Sequence, residues 1–164
     1  MEPTSPEAQA ELTRRHKSAA TTVIGLLVAS ILLSLVALLA DPYLIDKPDG
    51  NLNMAVSIVI LILGLGAVVW RRNKFNATRL QAIVGLGGVQ GLLKTLEKTT
   101  VQLALLASAI ALAGFVTTLL TGNPWQTYRA SAIAVVVFIY CYPTKSSWLR
   151  ALYRFTEKPA ETRG

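Results

Sequence analysis

Residues 18–40 read SAATTVIGLLVASILLSLVALLA, 23 positions without a charge. A helix rises about 1.5 Å per residue, so roughly 20 apolar residues carry a chain across a hydrocarbon core about 30 Å thick. This run is long enough. Three more uncharged stretches follow, at 50–70, 99–128 and 130–144. The last is short, but the Arg129 stem can reach the headgroup layer and lengthen the usable helix. Pro143 then stops it. The expected fold class is all-α: a polytopic membrane protein with four transmembrane helices in a bundle. The spans are about 19–40, 52–70, 99–121 and 126–142, within a single membrane domain.

Composition agrees. Hydrophobic residues make up 52% of the 164 positions and charged residues 15%. A water-soluble domain usually carries about 25% charge, so the shortfall rules out disorder and speaks against an ordinary soluble globule. The formal charge is +7, from 16 Lys and Arg against 9 Asp and Glu. A basic chain can bind nucleic acid, but no basic stripe with interleaved aromatics is present, so no nucleic-acid partner is expected.

The cations instead flank the spans. Three lie in the tail 1–18, six in the connection 71–98 and five in the tail 143–164. The other two connections carry one each, Lys47 and Arg129. By the positive-inside rule both termini are cytoplasmic, in a membrane of the bacterial cytoplasmic type. The first external loop is acidic, with Asp41, Asp46 and Asp49, and Lys47-Pro48-Asp49-Gly50 reads as a turn. Trp70, Trp125 and Trp148 fall at or just beyond span ends, where amphipathic rings favour the headgroup layer. Arg14, Arg15 and Lys17 before an apolar run imitate a secretion signal. The run exceeds a signal core, so an uncleaved first span is expected.

The connection 71–98 is longer than a simple link requires. Its stretch from Leu80 to Leu93 is uncharged and holds Gly85, Gly87, Gly88 and Gly91. Fourteen residues are too few to span, so the expectation is a cytoplasmic or interfacial helix between spans two and three, packed on the bundle. A contact surface for another subunit and a re-entrant element are the other two readings of this segment. Arg79, Gln90 and Lys94 share a narrow stripe, and Gly87 and Gly91 permit close approach. After Pro143 a short amphipathic helix is expected, with Trp148, Leu152 and Phe155 on one face as an interfacial anchor or partner-binding surface. These eight residues are the candidate interface.

Chemistry inside a membrane usually requires an ionisable group at depth. None lies well inside any span; Gln102, one turn in from the cytoplasmic boundary, is the one candidate intramembrane polar contact. Serines and threonines in the spans read as bonds to their own helix or a neighbour. Gly64, Gly66 and the alanines of span three predict tight packing of spans two and three. Cys141 and His16 are each the sole residue of their kind, so no disulfide, metal or histidine-dependent catalytic set is expected, and no cofactor. Asn76-Ala77-Thr78 matches a glycosylation acceptor but falls on the cytoplasmic side. Thr21-Thr22-Val23 and Thr99-Thr100-Val101 look like a repeat, but the narrow alphabet of membrane helices explains the match.

The functional expectation is a small non-enzymatic membrane protein: an accessory, assembly or structural subunit in contact with lipid and with another membrane protein or its own copies. The alternative is an oligomeric channel or transporter for an ion or small molecule.

Overall fold

The computed structural model describes residues 6–40, 50–74 and 77–156, with residues 52, 77–79, 155 and 156 described by backbone alone. The acidic loop 41–49, Asn76 and the final residues 157–164 lie outside the description, as do the side chains of Arg79 and Phe155. Five helices follow in order: α1 (Pro6–Ala40), α2 (Gly50–Lys74), α3 (Ala77–Thr121), α4 (Trp125–Cys141) and α5 (Lys145–Thr156). No strand occurs among the described residues.

Helix α1 is one element of 35 residues, about 52 Å long. It absorbs most of the segment read from sequence as a tail. Pro6 stands in the first turn, where its missing N–H costs nothing, and Glu7 complements the helix dipole there. The Thr13 and Thr22 hydroxyls donate to the carbonyls of Gln9 and Ser18, so neither interrupts the helix. The charged part continues the apolar part without a break.

One core joins α1 to α4. Val23 comes from α1, and Ile60 and Ala67 from α2; Leu103, Ala107, Ile110 and Ala111 come from α3, and Ala130, Ala134, Val137 and Phe138 from α4. Helices α3 and α4 form the central pair, and α1 and α2 flank it, without a close approach of their backbones among the described residues. A three-residue turn joins the central pair. Gly122 has φ 72°, the left-handed region that favours glycine, and its N–H donates to the Thr118 carbonyl at 2.8 Å. Asn123 Oδ1 accepts the Trp125 N–H at 3.0 Å, and Pro124 starts α4.

The close approaches differ in partner from the sequence expectation. A β-carbon on Gly64 would stand 2.7 Å from Ile133 of α4, not against α3. One on Gly114 would run into Ala130 of α4. Helix α4 therefore receives both glycine contacts, while α2 packs directly on α3 as well.

The outer faces are apolar. Leu39, Ile62, Leu65, Leu120, Val136 and Ile139 are each at least 60% exposed. Water would penalise so continuous an apolar exterior, and lipid would not. Segments Pro6–Ala40, Asn53–Lys74 and Leu80–Thr121 are long and apolar enough to cross a membrane. Helix α4 has 17 residues and meets α5 at a 45° bend, and the two together make a fourth candidate.

Candidate functional site

The unusual part lies at one end of the molecule, where both ends of the described chain meet. Ala8, Leu12 and Ala19 of α1 pack with Leu80, Val89, Leu92, Leu93 and Leu96 of α3 and with Trp148 and Leu152 of α5. This second core is separate from the one shared by α1 to α4. The three segments that meet there carry exposed cations, among them Arg14, Lys17, Lys94, Lys145 and Arg150, and we call it the basic end.

Its construction depends on Gly88. The residue has φ 59° and ψ −158°, a combination essentially reserved for glycine, and it breaks α3 in two. The Ile83 carbonyl oxygen and Cγ2 lie 3.6 and 3.7 Å from where a β-carbon on Gly91 would stand. Residues eight apart on a straight helix are about 12 Å apart along its axis. The chain therefore doubles back at Gly88, and residues 77–87 form an arm beside the start of the longer segment. This arm takes no part in the core between α1 and α4.

Charged and polar groups hold the basic end to the rest. Arg15 Nε donates to Glu11 Oε1 at 2.5 Å, and Arg15 Nη1 to Glu97 Oε2 at 2.9 Å, which ties α1 to α3. The hydrogen bond to Glu11, opposed by partial burial and reinforced by Glu97, raises the Arg15 pKa. His16 Nε2 lies 2.7 Å from the Pro143 carbonyl oxygen. A carbonyl only accepts, so this ring nitrogen carries the proton. The same ring meets Trp148 edge-on, with centroids 5.6 Å apart. His16 thus pins the α4–α5 turn to α1. Arg71, at the end of α2, donates to the Tyr140 carbonyl and lies 4.4 Å over the Tyr140 ring.

The candidate interface residues separate into three groups. Gly87, Gln90 and Lys94 are exposed on or beside the arm, and Gly91 is half-buried against Ile83. Trp148 and Leu152 are turned inward, 3% and 0% exposed, so neither is open to lipid or to a partner. Their surface is occupied by α1 and α3 of the same chain, because α1 extends far enough past the apolar core to receive it. Arg79 and Phe155 lie outside the described side chains. Gln102 is half-buried and, with Lys94, lines a pocket that also takes in Lys74 and Lys98. The four-residue spacing of Lys94, Lys98 and Gln102 is the signal that could have revealed that pocket.

Within the shared core the polar side chains bond locally. Ser34 Oγ lies 2.5 Å from Ser131 Oγ, joining α1 to α4, and Ser57 donates to Gln126 Oε1 at 3.1 Å, joining α2 to α4. Thr127 donates to Thr118 Oγ1 at 2.8 Å beneath the α3–α4 turn. Ser108 Oγ and Asn53 Oδ1 are buried without a partner among the described residues. The bonded hydroxyls and amides tie neighbouring helices together. Among the described residues no three His, Cys, Asp or Glu side chains come together.

No protein-family model matches this chain, and searches of curated proteins and of solved structures return no match either.

Proposed function

We propose that the protein is a small integral membrane subunit without catalytic activity. It crosses a bacterial-type cytoplasmic membrane four times and binds another membrane protein through the arm at its basic end. The fourth crossing is α4, about 25 Å long. Trp125 at its start and Tyr140 and Tyr142 at its end are exposed and suited to the two headgroup layers. The basic end is cytoplasmic, since its cations outnumber those of the opposite end.

The observation that carries the binding role is the arm itself. Residues 80–87 lie outside the shared core and carry no charge. Ala82, Gly85, Leu86 and Gly87 are exposed along it, Leu86 at 93%. An uncharged surface beyond the apolar body gains nothing from water and is suited to a protein contact.

Two measurements test this. Asn51→Cys should react with a membrane-impermeant thiol reagent in intact cells, and Ser146→Cys should not; the reverse pattern overturns the orientation. Photo-crosslinkers at Gln81 and Gln90 should capture one distinct membrane protein in native membranes, and Leu86→Asp should abolish the capture. Adducts between copies of this chain alone would replace the subunit reading with the oligomeric channel or transporter.

A further inference from the structure

Lys74 of α2 and Lys94 and Lys98 of α3 surround one pocket of about 370 Å³, together with Thr99 and Gln102. Lys94, Lys98 and Gln102 recur every four residues and so form one stripe on the helix. Lys74 approaches from α2, and the fold-back at Gly88 supplies Ile83 as an apolar wall. None of the three lysines pairs with a carboxylate among the described residues, because the nearby Glu97 is engaged by Arg15 at 2.9 Å. Thr99, 6% exposed, and half-buried Gln102 make no side-chain hydrogen bond among the described residues. Three ammonium groups, an amide and a hydroxyl make a lining rich in donors. Such a lining needs a ligand that brings acceptors and negative charge.

We propose that this pocket binds a phosphate group carrying at least one full negative charge. The lysines supply the counter-charge, and Gln102 and Thr99 supply directed hydrogen bonds below them. A solvated basic face would account for lysines spread along one helix, but not for three of them brought from two helices around one pocket that also presents an amide and a hydroxyl. A phospholipid headgroup and a free phosphate compound share this chemistry. Basic pockets between helices on the cytoplasmic side commonly hold anionic headgroups. If α3 crosses the bilayer, Lys98 stands at headgroup level. The pocket itself does not depend on the protein-binding role of the arm.

The test uses the full chain in phosphatidylcholine nanodiscs. One arm adds phosphatidic acid as about a tenth of the lipid, with retained lipid counted by native mass spectrometry. The other adds inorganic pyrophosphate to neutral discs and follows the thermal midpoint. The variant Lys74→Gln/Lys94→Gln/Lys98→Gln should bind about a hundredfold more weakly, from about fivefold per lysine. The control Arg14→Gln/Lys145→Gln/Arg150→Gln removes the same charge from the basic end outside the pocket and should change affinity less than about threefold. Gln102→Leu leaves the charge unaltered and should still weaken binding several-fold, with far-UV circular dichroism reporting that all variants fold. A response in the first arm alone assigns a lipid headgroup, and one in the second assigns a free anion. Equal losses in the two triple variants, or no binding in either arm, would overturn the proposal.

Discussion

Gly114→Ala places a methyl group where α3 and α4 meet. The new carbon would run into Cβ of Ala130, with the Gln126 carbonyl oxygen 3.0 Å away and Thr127 Cα 3.4 Å away. All three atoms belong to the α4 backbone or are fixed by it. No rotamer change can relieve the contact, so α4 must shift as a unit. Overpacking of this kind costs about 1–3 kcal/mol. The shift also lengthens two contacts to Thr118 Oγ1, from the Thr127 hydroxyl at 2.8 Å and the Thr127 N–H at 3.2 Å. Such hydrogen bonds are worth roughly 0.5–1.5 kcal/mol each. Against this, alanine gains about 0.8–1 kcal/mol over glycine in helix propensity. The net expectation is a loss of about 2 kcal/mol. A methyl group on Gly25 or Gly66 would meet nothing within 4 Å, so Gly25→Ala and Gly66→Ala should be neutral or slightly stabilising. Reversible unfolding by sodium dodecyl sulfate in mixed micelles, followed by far-UV circular dichroism, measures all three. Ala130→Gly added to Gly114→Ala should recover part of the loss, with a coupling of at least about 1 kcal/mol. If Gly114→Ala unfolds like Gly25→Ala, or if the double-mutant cycle is additive, the close approach of α3 and α4 is refuted.

Gly88→Ala should cost about 1–3 kcal/mol, because its backbone conformation excludes a β-carbon, whereas Gly87→Ala meets open space; hydrogen exchange across residues 80–93 should accelerate only in the former. Trp148→Ala should lose about 3–5 kcal/mol from the basic-end core, and limited proteolysis should then cut within α5 before any other helix. Arg15→Gln and Glu97→Gln should show a coupling below about 1 kcal/mol that fades with added salt, since both side chains are about a quarter exposed. A raised arginine pKa leaves the ion-pair stabilisation complete below the unfolded value, and it is lost only as pH rises through the folded one. Both lie far above working buffers, so the difference between wild type and Arg15→Gln should stay flat from about pH 7 to 10 as far as Arg15 is concerned. A steep change in that window would contradict it.

The apolar helices were legible because their signal is local. Twenty consecutive residues without charge determine a lipid-compatible helix whatever else the chain does. The turn at Gly122-Asn123-Pro124 has an equally local cause, since a left-handed glycine and a proline end one helix and start another. The basic end was legible only in composition. Residues 71–98 could be recognised as more than a link, and Gly88 as one of four glycines, but nothing in the spacing singled it out as the point of reversal. The face of Trp148 and Leu152 is apolar as expected, but α1 and α3 cover it rather than lipid or a partner. An amphipathic helix announces which side it buries without saying what covers it.

By itself, then, the amino-acid order determined the helical class, the long apolar stretches and the gathering of cations in three segments. Each follows from how one side chain or one short run partitions between water and hydrocarbon. Only the tertiary structure decided that α3 and α4 lie between α1 and α2, that α1 reaches beyond the shared core to cover α5, and that Lys74 meets Lys94, Lys98 and Gln102. Those outcomes depend on where a fold-back at one glycine sends the chain, and on contacts between residues tens of positions apart, which no local preference encodes.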